Sequence, residues 1–287
     1  LARQSEIRVN MSDALLDLLV PVLAEVPGVV GVVLGGSRAR GTAGPSSDYD
    51  IGLYYNLSRP LDTNHLLNAV RAVVDDPRNI TVTAVGDWGP RIVGGAWLSV
   101  GGRKVDLLYR CIDSVEQVIS DCRGGRIAMD YQPGHPHGFC SAAWMGEVAL
   151  CQILHDPLAA VAVLKSSTSP YPDRLRDALV RMFQWEILFS IQNAEVAVSR
   201  REQTHIAGCA YRALCCSSQV LFAINKRYLI NEKGALLEAA LFPKTIEQLR
   251  ERVARVWRDI GDREFGEALA NLKSLDDDLT KLVQGSD

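Results

Sequence analysis

The sequence predicts an α+β protein, with a small mixed β-sheet flanked by helices over residues 11–138 and an all-helical bundle over 139–287. Three observations carry this reading. To about Tyr109, short apolar runs alternate with glycine turns. From about Ser141 onward, apolar residues recur at helical spacing over long stretches. Between them, residues 122–137 hold five glycines or prolines, the composition of a connecting loop.

The chain opens with a helix that Ser12 or Asp13 can cap, its Leu15, Leu16, Leu19 and Val22 sharing a face. Pro21 kinks it and Pro27-Gly28 ends it. Val29 to Leu34 is a β-branched run that reads as a buried strand. Gly35-Gly36-Ser37 breaks that strand, with a short helix after it. Tyr49 to Tyr55 is the second strand, Leu61 to Val74 a helix, and Ile80 to Val85 the third strand. Ala96–Val100, Gly101-Gly102 and Lys104–Tyr109 form a hairpin with a primed turn. Helices are predicted at about 140–151, 156–165, 173–200, 205–228, 235–256 and 262–283, with Pro243 interrupting the fifth.

Composition narrows the function classes. At 287 residues and 47% hydrophobic, the chain buries a full core without staples. Its 31 basic and 34 acidic residues leave a net charge of −3, a poor balance for a nucleic-acid binder. The seven cysteines are odd in number and include no C-x-x-C pair, which suits buried thiols in a reducing cytoplasm. The most apolar stretch, Leu15 to Leu34, is broken by Asp17, Pro21, Glu25 and Pro27, so no membrane span is expected. Met11 is a candidate start, which makes residues 1–10 an extension.

The chemistry concentrates in GGSRARGTAGPSSDYDIGL, from Gly35 to Leu53. Glycines let the backbone approach a ligand closely, and exposed N–H groups there bind anions. Ser37 adds a hydroxyl, and Arg38 and Arg40 add positive charge within one turn. Asp48 and Asp50 stand two apart on a predicted strand, so they share a face. Aspartate is disfavoured in strands, which sets this pair apart from solvated surface residues. Asp106 lies between Val105 and Leu107 in a later strand. If the two strands are neighbours, three carboxylates converge, and a hard cation such as Mg²⁺ satisfies them.

Taken together, Gly36-Ser37, ten intervening residues, Asp48-Tyr49-Asp50-Ile51 and a later strand aspartate resemble the nucleotidyltransferase superfamily typified by DNA polymerase beta. The segment is similar to the small bacterial branch, which includes the antibiotic nucleotidyltransferases and the minimal nucleotidyltransferases with helical partners. The resemblance spans about residues 12–110. Several members also carry a C-terminal helical domain. It implies that Gly36, Ser37 and Arg40 hold a triphosphate, ATP in the leading reading. Asp48, Asp50 and Asp106 bind Mg²⁺, and Asp106 alternatively accepts the proton of the attacking hydroxyl. The implied reaction transfers a nucleoside monophosphate to a hydroxyl and releases pyrophosphate. The acceptor is a small molecule or, alternatively, a protein side chain. A non-catalytic nucleotide-binding protein on the same fold is the reading of another class, and nucleic acid is an unfavoured partner.

No glutamate matches by motif the extra base used by some members. Glu147 and Glu186 are the candidates because each interrupts an apolar helix, and Glu147 is preferred. Gln184 and Asn193 are further polar residues on apolar helices. His135 and His137 read as loop residues. Arg250, Arg252, Arg255 and Arg258 read as a salt-bridged surface. The five tryptophans read as core, with Trp88 singled out because it sits in a glycine-flanked loop.

Overall fold

The computed structural model describes residues 13–285, so the capping role of Ser12 and a start at Met11 lie outside the described residues. The chain forms two compact units. One comprises residues up to Asp113 together with Cys151–Ala162, and the other Ser114–Leu150 with Val163 onward. The expected boundary at 138/139 does not coincide with this division.

In the first unit, α1 (Ala14–Ala24) starts at Asp13, whose carboxylate accepts the Leu15 N–H at 3.1 Å. Pro21 is accommodated inside the helix. Then follow β1 (Gly31–Leu34), α2 (Gly36–Ala39), β2 (Tyr49–Tyr55), α3 (Thr63–Arg71), β3 (Thr81–Val82), β4 (Gly95–Val100) and β5 (Arg103–Cys111). The sheet order is β3-β4-β5-β2-β1-β8, where β8 is Gln152–His155. All neighbours are antiparallel except β2 and β5, which run parallel.

One face of this sheet is the core. Val32, Leu34, Ile51, Leu53, Leu107 and Tyr109 pack there with Leu19 and Leu23 of α1 and Leu66 and Val70 of α3. Residues of the opposite parity, including Asp50 and Asp106, therefore point to the other face. That alternation is what positions the site.

The strand β8 fills the stretch that the sequence left unassigned between the helices expected at 140–151 and 156–165. All four β1 residues are buried, and such a strand needs a partner on both edges. Residues 152–155 supply the second one by pairing with Val32, Val33 and Leu34. The third strand is shorter than expected, two residues rather than six.

The second unit contains α4 (Ile112–Arg123, shared with the first), β6 (Met129–Asp130), β7 (Phe139–Cys140), α5 (Ala142–Leu150), α6 (Ala160–Ser166, also shared), α7 (Asp173–Val198) and α8 (Gln203–Ile224). The last three helices are α9 (Ala235–Ala239), α10 (Leu249–Gly261) and α11 (Phe265–Gln284). The α4 helix was not anticipated, although Val115, Val118, Ile119 and Cys122 bury one face of it. The helix expected over 235–256 is split into α9 and α10 around Pro243. The α8 helix is long and apolar enough to cross a membrane, but 72% of its apolar window is buried inside the protein, as for a core helix.

Candidate active site

The site is built where β1 leaves the sheet. The Gly35 N–H donates to the Asp50 carbonyl oxygen at 2.7 Å, pinning the turn to β2. Gly36 follows with φ of +59°, a left-handed conformation suited to glycine. A β-carbon on Gly36 would stand 1.8 Å from Asp50 Oδ2. The backbone of the turn therefore lies directly on the Asp50 carboxyl, and no side chain fits between them.

Strand register supplies the second carboxylate. Asp50 and Asp106 are direct partners across the parallel β2–β5 pair. Both are intermediate in exposure, while Tyr49, Ile51, Val105 and Leu107 beside them are buried. Side chains of register partners share a face at about 5 Å spacing, and like charges so placed are unfavourable without a counter-charge. Asp48 lies two residues ahead of Asp50, just before β2 begins.

Among the described residues, no three His, Cys, Asp or Glu side chains are grouped closely enough to hold a metal ion. The expected convergence of three carboxylates is therefore seen only in part: Asp50 and Asp106 are register partners, and Asp48 is close to Asp50 in sequence alone. The all-oxygen donor set of the pair fits a hard divalent cation.

The arginines divide their work in a way the sequence did not reveal. Arg38 is tied to its own chain. Its Nη2 donates to the Ser47 carbonyl oxygen at 2.6 Å and its Nε to the Asp48 carbonyl oxygen at 3.2 Å. Its guanidinium lies over the Tyr49 ring at 3.7 Å. Arg38 thus fastens the loop that delivers Asp48. Tyr49 in turn donates its hydroxyl to Asp13 Oδ2 at 2.8 Å, and burial together with that bond pushes its pKa up. Arg40 ends the short helix and is exposed. The Ser37 carbonyl oxygen accepts the Thr42 N–H at 2.9 Å, closing the turn behind the glycines.

In the helical unit, Glu147 sits on α5 at intermediate exposure, with Trp144, Met145 and Val148 buried around it. Glu186 is engaged elsewhere: its Oε1 accepts Arg212 Nε at 2.6 Å. Gln184 donates to Thr280 at 3.2 Å and Asn193 to the Phe189 carbonyl oxygen at 2.8 Å, both structural roles. His137, read as a loop residue, is 5% exposed. Its backbone carbonyl oxygen and its Nδ1 both accept Arg212 Nη1, the latter at 2.9 Å. Arg252 pairs with Asp278 at 2.8 Å, in keeping with a salt-bridged surface. The tryptophans depart from expectation: Trp144 is buried, but Trp97 is 60% exposed, and Trp185 and Trp257 are exposed too.

The family described as nucleotidyltransferase domain matches residues 17–85, a span holding Gly36, Ser37, Arg40, Asp48 and Asp50. A nucleotidyltransferase-like protein from Exiguobacterium sibiricum is similar in structure at 12% identity, with a TM-score of 0.42. That match covers 93% of this chain and 76% of the other. No curated protein matches the chain.

Proposed function

We propose, on the premise that this chain carries a domain of the nucleotidyltransferase superfamily and is a transferase, that it moves AMP from ATP to a hydroxyl of a small molecule and releases pyrophosphate. The observation that carries this reading is the register partnership of Asp50 and Asp106 with Gly36 seated on the Asp50 carboxyl. It joins the carboxylates inside the matched domain to one that lies beyond its end.

In this reading Gly36, Ser37 and Arg40 bind the β- and γ-phosphates through N–H, hydroxyl and guanidinium donors. Asp48, Asp50 and Asp106 hold Mg²⁺, which when bound neutralises charge developing on the phosphoryl oxygens. Arg38, which holds the Asp48 carbonyl oxygen, steadies the backbone that carries Asp48. Asp106 lies on the side away from Gly36 and orients the incoming hydroxyl. Glu147, a carboxylate within a largely buried helix, is assigned as the base that takes the acceptor proton. The net charge of −3 favours a small acceptor over a nucleic acid. All seven cysteines are free, which agrees with a cytoplasmic setting.

The test is incubation with α-labelled ATP, Mg²⁺ and a cell extract, followed by separate analysis of small molecules and proteins. Mg²⁺-dependent label on a small molecule is expected. Label confined to protein would move the acceptor to a side chain. For Glu147→Gln, transfer should fall at least about a hundredfold, at the low end for general acid–base groups, with nucleotide affinity unchanged. Survival of transfer would shift the base role to Asp106.

A further inference from the structure

The carboxylate pair does not stand alone on its sheet face. Asp106 is the register partner of Trp97 across the antiparallel β4–β5 pair, and Asp50 is the register partner of Asp106 on the other side. Asp50, Asp106 and Trp97 therefore form one row across three strands, all on the face opposite the core. By ordinary strand spacing the indole stands about 5 Å beyond Asp106 and about 10 Å beyond Asp50.

Trp97 is 60% exposed, while its strand neighbours Ala96 and Leu98 are buried. It is also held flat. Trp88, from the loop between β3 and β4, stacks on it with ring centroids 4.6 Å apart and an interplanar angle of 22°. Trp88 can reach this position because residue 95 is glycine: a β-carbon there would lie 2.8 Å from Trp88 Cζ3. Trp97, stacked on a half-buried Trp88, thus exposes a large apolar ring that folding alone leaves unexplained.

We infer that Trp97, braced by Trp88, is a stacking platform for a ring of the acceptor. The inference rests on the reading under Proposed function, and stereochemistry selects the occupant. In phosphoryl transfer the attacking and leaving oxygens lie in line through phosphorus. Gly36 and Ser37 hold the leaving pyrophosphate on the β1 side of Asp50. The attacking hydroxyl then arrives from the β5 side, past Asp106, where Trp97 is the next residue in the row. The nucleoside takes an equatorial position, off this line. A sugar, cyclitol or aromatic ring carrying the attacking hydroxyl would lie with one face on the indole, which fixes its approach.

The test uses protein labelled with ¹⁵N at the indole nitrogens and saturated with Mg²⁺ and α,β-methylene-ATP. Methyl β-D-glucopyranoside and benzyl alcohol serve as ring probes, and glycerol as the acyclic control. Both ring probes should shift the Trp97 indole signal, identified by its loss in Trp97→Phe, and glycerol should not. Read from the probes' own resonances, Trp97→Ala should raise their Kd about three- to tenfold, the loss of one aromatic stack. Trp97→Phe should change it less than about twofold, since a ring remains. Affinity for α,β-methylene-ATP should be the same in all three proteins.

An unmoved Trp97 signal with both ring probes, or an equal shift with glycerol, overturns the platform. A fall in analogue affinity in Trp97→Ala overturns the acceptor assignment and gives the stack to the nucleobase. If wild-type protein fails to bind the analogue at all, it is the nucleotidyl-transfer reading that fails, and the ring-probe shifts still decide the platform.

Discussion

The two units gather their polar side chains by different means. In the sheet unit, Asp50, Asp106 and Trp97 meet because strand register puts them opposite one another. In the helical unit, His137, Glu186 and Arg212 meet although they come from a loop and two separate helices. Register follows from the strands and their alternation, so a period of two in the sequence carries it. Helix packing brings together residues with no common period. The first kind of site can be read from a linear pattern, and the second cannot.

The largest effect should come from breaking the register pair. Asp50→Asn or Asp106→Asn should each lower pyrophosphate release by at least about a hundredfold, and the double variant little further, because groups acting as a unit are not additive. Thermal unfolding should be unchanged or slightly raised, since a carboxylate facing a carboxylate costs stability. Multiplying losses would show that the two act separately.

Gly36→Ala probes the same geometry from the turn. The added β-carbon meets Asp50 Oδ2 and stands at a positive φ. The expected cost is about 1–2 kcal/mol in denaturant unfolding, from a non-glycine residue at φ > 0 and the contact together. Activity should fall with it, because the contact displaces the Asp50 carboxyl. Full activity in a folded Gly36→Ala protein would mean that Asp50 has room to work elsewhere.

The helical cluster should show the opposite profile. Arg212 has three acceptors: Glu186, His137 Nδ1 and the His137 carbonyl oxygen. Burial opposes its charge, but the bond to Glu186 and the neighbouring negative groups outweigh it and raise its pKa. Arg212→Met should cost about 2–3 kcal/mol of stability, because it leaves partly buried acceptors unpaired. Binding of a triphosphate analogue should be unaffected. A loss of nucleotide affinity would tie the cluster to the site and erase the contrast between the units.

Much of the sheet site was legible. The span of β2, the break at Gly35-Gly36 and the buried-type setting of Asp106 all followed from alternation and turn chemistry. What escaped notice has identifiable causes. The strand β8 is short and lies one residue after a helix, with a turn only on its far side, so the need of β1 for a second partner is what reveals it. Arg38 has the same local signal as Arg40, and only the return of the loop to place Ser47 and Asp48 over it separates their roles. Trp97 alternates with Ala96 and Leu98, which does mark it as outward-facing. The bias that tryptophan belongs in cores concealed that.

The smallest effect is a pH dependence that belongs to the helical unit alone. His137 Nδ1 accepts from Arg212, so the ring proton is on Nε2, which is buried without a hydrogen-bond partner. Burial, reinforced by the Arg212 cation, lowers the His137 pKa to about 3. In the unfolded chain the ring titrates near 6.5. Above that value neither state binds the proton. Below it the unfolded state does and the folded state does not, so stability falls as pH drops from about 6.5 toward 3. Between pH 7.5 and 5.5 this histidine should remove about 1 kcal/mol. Denaturant unfolding of wild type and His137→Gln at both values measures the difference, and the variant should lose that part of the slope. An equal slope in both proteins would show that His137 accepts its proton while folded. The Arg212 contact would then have to open before the helical unit does, making the cluster a local fastening rather than part of the cooperative core.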